Sequence, residues 1–148
     1  MIGRSRRVDT TEGNSSHHDV GSQVTAEAEL IIVERLANAA RLTLNRPDQL
    51  NPLDKDTIHV LRSVVEELEA EPAVRCVIVT GAGRAFSAGG DLKGYLSLYE
   101  QPAAFRRFLE DFHALCGAIE SSEKIYLAAI NGTTVAGGLE LMLSLIHI

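Results

Sequence analysis

Two glycine-rich loops, each fed by an apolar run, constrain this 148-residue chain more than any other feature. The first is Arg75–Asp91, RCVIVTGAGRAFSAGGD; the second is Ile125–Glu140, IYLAAINGTTVAGGLE. An apolar run that breaks into glycines before a helix start aims backbone N–H groups at an anion or a developing negative charge. Two such loops in one domain can each supply a donor to the same oxygen. The second loop also places a carboxylate, Glu140, three residues after Gly137. The combination points to an enzyme site.

The flanking segments fit a layered α/β fold. Leu30–Leu36 (LIIVERL) and Ala40–Asn45 (ARLTLN) are expected to pair as strands, Leu42 and Leu44 alternating with Arg41 and Thr43. A turn at 45–48 follows. Asp54 is placed to cap a helix over Lys55–Ala70, with Ile58, Leu61, Val65 and Leu68 on one face and Pro72 closing it. CVIVT reads as a strand buried on both faces. A short helix is expected over Leu92–Tyr99. A longer one should cover Pro102–Ser121, its stripe of Phe105, Phe108, Phe112, Leu115 and Ile119 serving as core. The strand IYLAAI and a helix opening at Gly137 or Gly138 complete the alternation of strands and helices, which requires crossover connections.

Composition narrows the class. The length suffices for one hydrophobic core and is too short for two. With net charge −6 and no basic cluster on a folding segment, neither nucleic acid nor an anionic membrane is an expected partner. No apolar run approaches the ~20 residues of a membrane helix. Cys76 and Cys116 lie in apolar runs and are expected as reduced core thiols, which suits a cytoplasmic location. Met1–Ala28 is polar, lacks periodicity and reads as a disordered leader; Asp9, Glu12, Asp19 and Glu27 argue against a transit peptide despite Arg4, Arg6 and Arg7. His17-His18 has no third ligand nearby, so no metal site is expected. The last six residues, LSLIHI at 143–148, match the translation of a transposon mosaic-end adapter and are expected to be foreign to the fold.

Several motif readings compete for the loops. Gly81-Ala82-Gly83 begins like a dinucleotide fingerprint, but Phe86 occupies the third glycine position. No Gly-Lys-Ser/Thr occurs, which removes a phosphate-binding P-loop. Ser87 in Ala85–Gly89 resembles a nucleophile elbow, yet it lies too far past the strand. In the second loop, a helix starting at Gly137 leaves that N–H unsatisfied and puts Glu140 beside it. The alternative is a capping arrangement with Gly137 as N-cap and Glu140 at N3.

Leu44–Asp54 (LNRPDQLNPLD), Val77–Lys93 (VIVTGAGRAFSAGGDLK) and Asn131–Leu141 (NGTTVAGGLEL) resemble, in order, the motifs of the crotonase superfamily, the enoyl-CoA hydratase/isomerase group. The resemblance covers roughly 29–142 and implies a crotonase-like spiral of ββα turns, stacked sheets with flanking helices, cut off before a C-terminal helical region. It implies that the N–H groups of Gly90 and Gly137 form an oxyanion hole and that Glu140 handles water. It further implies that Ala88, Gly90, Asp91, Leu92 and Lys93 line the acyl-CoA site. Coenzyme A enters as the thioester substrate, with no permanently bound cofactor, and the parent is expected as a homotrimer or hexamer. Ala136 stands where many members have glycine, and Thr134 where many have alanine; both read as tolerable. The second acid of hydratases falls about twenty residues past Glu140, beyond the sequence given, so the 148 residues alone are expected to be inactive. Syn hydration of a 2-enoyl-CoA is the leading activity. Isomerase, hydrolase, decarboxylase and dehydratase reactions, or an idle acyl-CoA-binding subunit, are the alternatives.

Overall fold

The structure, a computed structural model, describes residues 30–145. In chain order the elements are β1 (Ile31–Arg35), β2 (Ala39–Leu44), α1 (Lys55–Glu69), β3 (Cys76–Gly81), β4 (Ala85–Ser87), α2 (Leu92–Tyr99), α3 (Pro102–Glu120), β5 (Ile125–Ala128), β6 (Thr133–Thr134) and α4 (Gly137–Leu145). The main sheet runs β1-β2-β3-β5; β1 pairs antiparallel with β2, and the two other pairings are parallel. β4 and β6 form a second, small parallel sheet. Each of its strands is a piece of one glycine loop, so the small sheet holds the two loops side by side.

The local reasons follow from the residues. Asp54 is extended, and its Oδ1 accepts the Thr57 N–H at 2.9 Å, which starts α1. At the other end, Lys124 Nζ donates to the carbonyls of Leu68, Glu71 and Val74 at 2.5, 2.6 and 3.0 Å. That ammonium satisfies carbonyls at and just beyond the helix terminus and opposes its negative end. Pro102 sits in the first turn of α3, where its missing N–H is harmless.

The core lies on one face of the main sheet. Leu42, Leu44, Val77, Val79 and Tyr126 pack there with Ile58, Leu61, Val65 and Leu68 of α1 and Phe108, Leu115 and Ile119 of α3. Each such side chain, fully buried, contributes about 1.5–3 kcal/mol of transfer free energy.

The opposite face departs from expectation. The unbroken apolar run of β3 suits burial on both faces, but the strand alternates: Val77 and Val79 are buried while Cys76, Ile78 and Thr80 are half-exposed. Ile32 on the edge strand β1 and Ile125 and Leu127 on the neighbouring β5 are also exposed. Among the described residues, no second layer covers this face, so the apolar run is buried on one side only. Cys76 and Cys116 are free thiols, each partly exposed and therefore not full core residues.

α4 extends through Leu143 and Ser144 to Leu145, and Leu145 is buried in the core cluster. The leader reading and the His17-His18 pair lie outside the described residues, as do residues 146–148. Among the described residues, no helix is long and apolar enough to cross a membrane.

Candidate active site

The first glycine loop is tied down by two asparagines. Asn51, 2% exposed, accepts the Arg46 N–H at 2.8 Å and donates to the carbonyls of Ala82 and Ala85 at 2.9 Å each. Asn131, from the second loop, accepts the Gly81 N–H at 3.1 Å and donates to Gly83 O at 2.9 Å and Ala85 O at 3.2 Å. Both side chains therefore converge on the Ala85 carbonyl. Further along, Ala88 N–H donates to Leu50 O and Leu53 N–H to Gly89 O, both at 2.8 Å. The loop is held on a segment that itself turns through positive φ at Leu50 and Asn51.

Ser87 is fully buried. Its hydroxyl donates to Asn51 O at 2.7 Å and accepts the Gly89 N–H at 3.1 Å. A serine so enclosed and so occupied is no nucleophile, and the elbow reading falls.

The two loops then meet. Gly89 has φ +83°, and a Cβ there would lie 2.8 Å from Ala136 Cβ and 2.8 Å from Val135 O. Only glycine allows both that backbone and that approach. Val135 N–H donates back to Ser87 O at 3.2 Å. A Cβ on Gly137 would stand 3.8 Å from Gly90 N, so the backbones of Gly90 and Gly137 are near neighbours.

The start of α4 decides between the two readings of Glu140. The Ala136 carbonyl accepts the N–H groups of Leu139 at 2.8 Å and Glu140 at 3.1 Å. Ala136 is thus the N-cap, Gly137 is N1, and the N3 position belongs to Leu139. The capping box that would have occupied Glu140 is not made. Ala136 itself has φ +48°, the left-handed region, which explains why glycine suits this position and why alanine there carries strain. Among the described residues, neither Gly90 N–H nor Gly137 N–H has an acceptor. They are adjacent, unpaired donors.

Both open on a cleft of about 1060 Å³. Ala88, Gly90, Asp91, Leu92, Lys93, Gly137 and Glu140 all line it, so the tertiary fold brings every expected site residue to one place. The apolar wall comes from Leu53, Ile58, Phe108 and Phe112. The phenylalanine stripe of α3 therefore does more than fill the core: two of its rings face the cleft. Asp91 Oδ1 accepts the Lys93 N–H at 3.0 Å and so caps α2. Glu140 is exposed and lines the cleft.

Residues 39–147 match the family model described as enoyl-CoA hydratase/isomerase. The chain belongs to the enoyl-CoA hydratase/isomerase family, within the crotonase superfamily. It is 37% identical over 114 residues to crotonyl-CoA hydratase of Syntrophomonas wolfei, covering 76% of this chain and 43% of that protein. It is 35% identical over 127 residues to the mitochondrial 3-hydroxyisobutyryl-CoA hydrolase of Bos taurus, covering 82% of this chain and 32% of that one. The crystal structure of an enoyl-CoA hydratase from Bacillus anthracis superposes with a TM-score of 0.74 at 30% identity, over 78% of this chain and 45% of that one. The chain thus spans less than half the length of the curated relatives it matches, and its fold is that of the crotonase family.

Within this family member, three contributors to the site escaped sequence reasoning. Asn51 and Asn131 lie in polar turn stretches, where an asparagine ordinarily needs no further explanation; their partners in the first glycine loop are 31 to 50 residues away. Tyr95, on α2, also lines the cleft. Its ring meets Phe105 edge-on at 5.7 Å and Phe108 at 5.3 Å. Burial raises its phenol pKa above the ordinary value, and the carboxylates of Glu140, Asp91 and Asp54 push it the same way. Among the described residues, no group of His, Cys, Asp and Glu side chains could hold a metal ion.

Proposed function

We propose that this protein adds water across the 2,3 double bond of an enoyl thioester of coenzyme A. The observation that carries the reading is the pair of unpaired N–H donors, Gly90 and Gly137, opening on the same cleft as Glu140. Attack of water oxygen on C3 moves electrons onto the thioester oxygen. Two fixed donors stabilise that enolate, and losing one such donor typically costs about 2.7–4 kcal/mol of barrier. Glu140 accepts the proton of the attacking water and returns a proton to C2 as the enolate collapses. Ala88, Asp91, Leu92 and Lys93 hold the acyl thioester and its coenzyme A along the cleft, with coenzyme A as part of the substrate. The match to a crotonyl-CoA hydratase supports the same reading.

The test is hydration of crotonyl-CoA by the full gene product, followed as loss of the enoyl thioester absorbance. Glu140→Gln should lower kcat by about 10²–10⁴; an unchanged kcat sinks the role given to Glu140. A second reading, thioester hydrolysis, is favoured by the 35% identity with the bovine 3-hydroxyisobutyryl-CoA hydrolase. Release of free coenzyme A thiol from 3-hydroxyacyl-CoA, without hydration of crotonyl-CoA, would select it.

A further inference from the structure

The Tyr95 hydroxyl occupies a place in the cleft that neither proposed reaction has yet used. A Cβ on Gly90 would lie 2.6 Å from Tyr95 Cε2 and closer still to Cζ and Oη, so the phenol tip rests directly on the Gly90 backbone. Two edge-on phenylalanines and the Tyr95 N–H bond to Asp91 O at 2.9 Å hold the ring there. Among the described residues, its hydroxyl has no hydrogen-bond partner. A cleft-lining hydroxyl without a protein partner, beside an unpaired N–H donor, is free to bond a ligand there. Apolar neighbours wall the ring on the Phe108 side. Glu140 lines the same cleft, and its charge bears on the phenol.

We propose that Tyr95 determines substrate specificity by donating a hydrogen bond to an oxygen on C3 of the acyl group. The inference rests on the acyl-CoA reading above. The two N–H donors take the C1 oxygen, and the next acyl carbons run along the cleft past the Tyr95 hydroxyl, which rests on Gly90. An oxygen at C3 there can accept from the phenol. In hydration that oxygen is the incoming water; in a 3-hydroxyacyl or 3-oxoacyl thioester it is already in place. The raised phenol pKa keeps Tyr95 protonated, hence a donor, across the neutral range. A saturated acyl chain offers the hydroxyl nothing.

The experiment compares two ligands that hydration cannot consume. Acetoacetyl-CoA carries a C3 oxygen and butyryl-CoA does not; both are titrated by calorimetry into the full gene product and its Tyr95→Phe variant. Wild type should bind acetoacetyl-CoA about fivefold more tightly or better, the range of one neutral hydrogen bond. Tyr95→Phe should bring the two ligands within twofold of each other and leave butyryl-CoA unchanged. Phenylalanine keeps the ring contacts, and the wild-type preference is a test that needs no variant. Equal binding of the two ligands by wild type overturns the proposal, as does a preference that survives Tyr95→Phe or a variant weakened equally for both. Failure of the hydratase reading is distinct: crotonyl-CoA would not be hydrated while the Tyr95-dependent preference persisted.

Discussion

Asn51→Asp swaps one nitrogen for oxygen at a buried position and should unsettle the whole first loop. The aspartate keeps the bond from the Arg46 N–H but loses both donations, to Ala82 O and Ala85 O. Ala85 O retains Asn131 at 3.2 Å, so that loss is partly compensated and costs about 1 kcal/mol. Ala82 O loses this side-chain donor, and an orphaned acceptor costs about 1–3 kcal/mol. The sum is about 2–4 kcal/mol, a large share of the 5–15 kcal/mol typical of a domain. Urea unfolding followed by circular dichroism should show a lower midpoint at unchanged slope. The sign with pH follows. A carboxyl buried against carbonyls has its folded pKa raised, so the deficit is full at neutral pH and shrinks as protonation restores a donor. Combining the change with Asn131→Ala should be non-additive by at least about 0.5 kcal/mol, because both residues serve Ala85 O. A midpoint within 0.5 kcal/mol of wild type, or a strictly additive cycle, would refute the bracing argument.

Asp54 is partly buried, which raises its pKa, but the Thr57 N–H and the Arg46 guanidinium outweigh burial and hold it below the usual carboxylate range. Its contribution is therefore present above about pH 4 and lost as pH falls through the lowered folded value. Asp54→Ala should cost about 1 kcal/mol at neutral pH, and the gap to wild type should close on acidification; a gap independent of pH contradicts the assignment. Ala136→Gly removes a side chain from φ +48° and should stabilise by about 0.5–1 kcal/mol, read as a higher urea midpoint. Gly138→Ala should do the reverse. Its Cβ would lie 2.6 Å from Ser87 O and 2.8 Å from Ser87 Cβ, both inside the braced loop. A loss of about 1–3 kcal/mol is expected, with weaker binding of acyl-CoA; a neutral substitution would show that α4 docks differently.

Much of the fold was written locally. The strands, the Asp54 cap, the helix over residues 55–69 and the apolar stripe of α3 each depend on neighbours a few residues apart, which is the range that periodicity and capping report. The glycines marked both loops for the same reason, since backbone that must turn or approach closely has few residue options. What the sequence could not decide involved partners far along the chain. Whether β3 is covered on one face or two depends on which layers surround it. That Asn51 and Asn131 share one carbonyl depends on crossovers, as does the packing of Tyr95 against Gly90 and two phenylalanine rings. The fate of Glu140 was settled by a single backbone residue: Ala136 in the left-handed region takes the N-cap, which leaves the Gly137 N–H unpaired and the carboxylate uncommitted. Sequence determined that two donors existed. Only the small β4–β6 sheet, a long-range pairing that no local pattern encodes, made them neighbours.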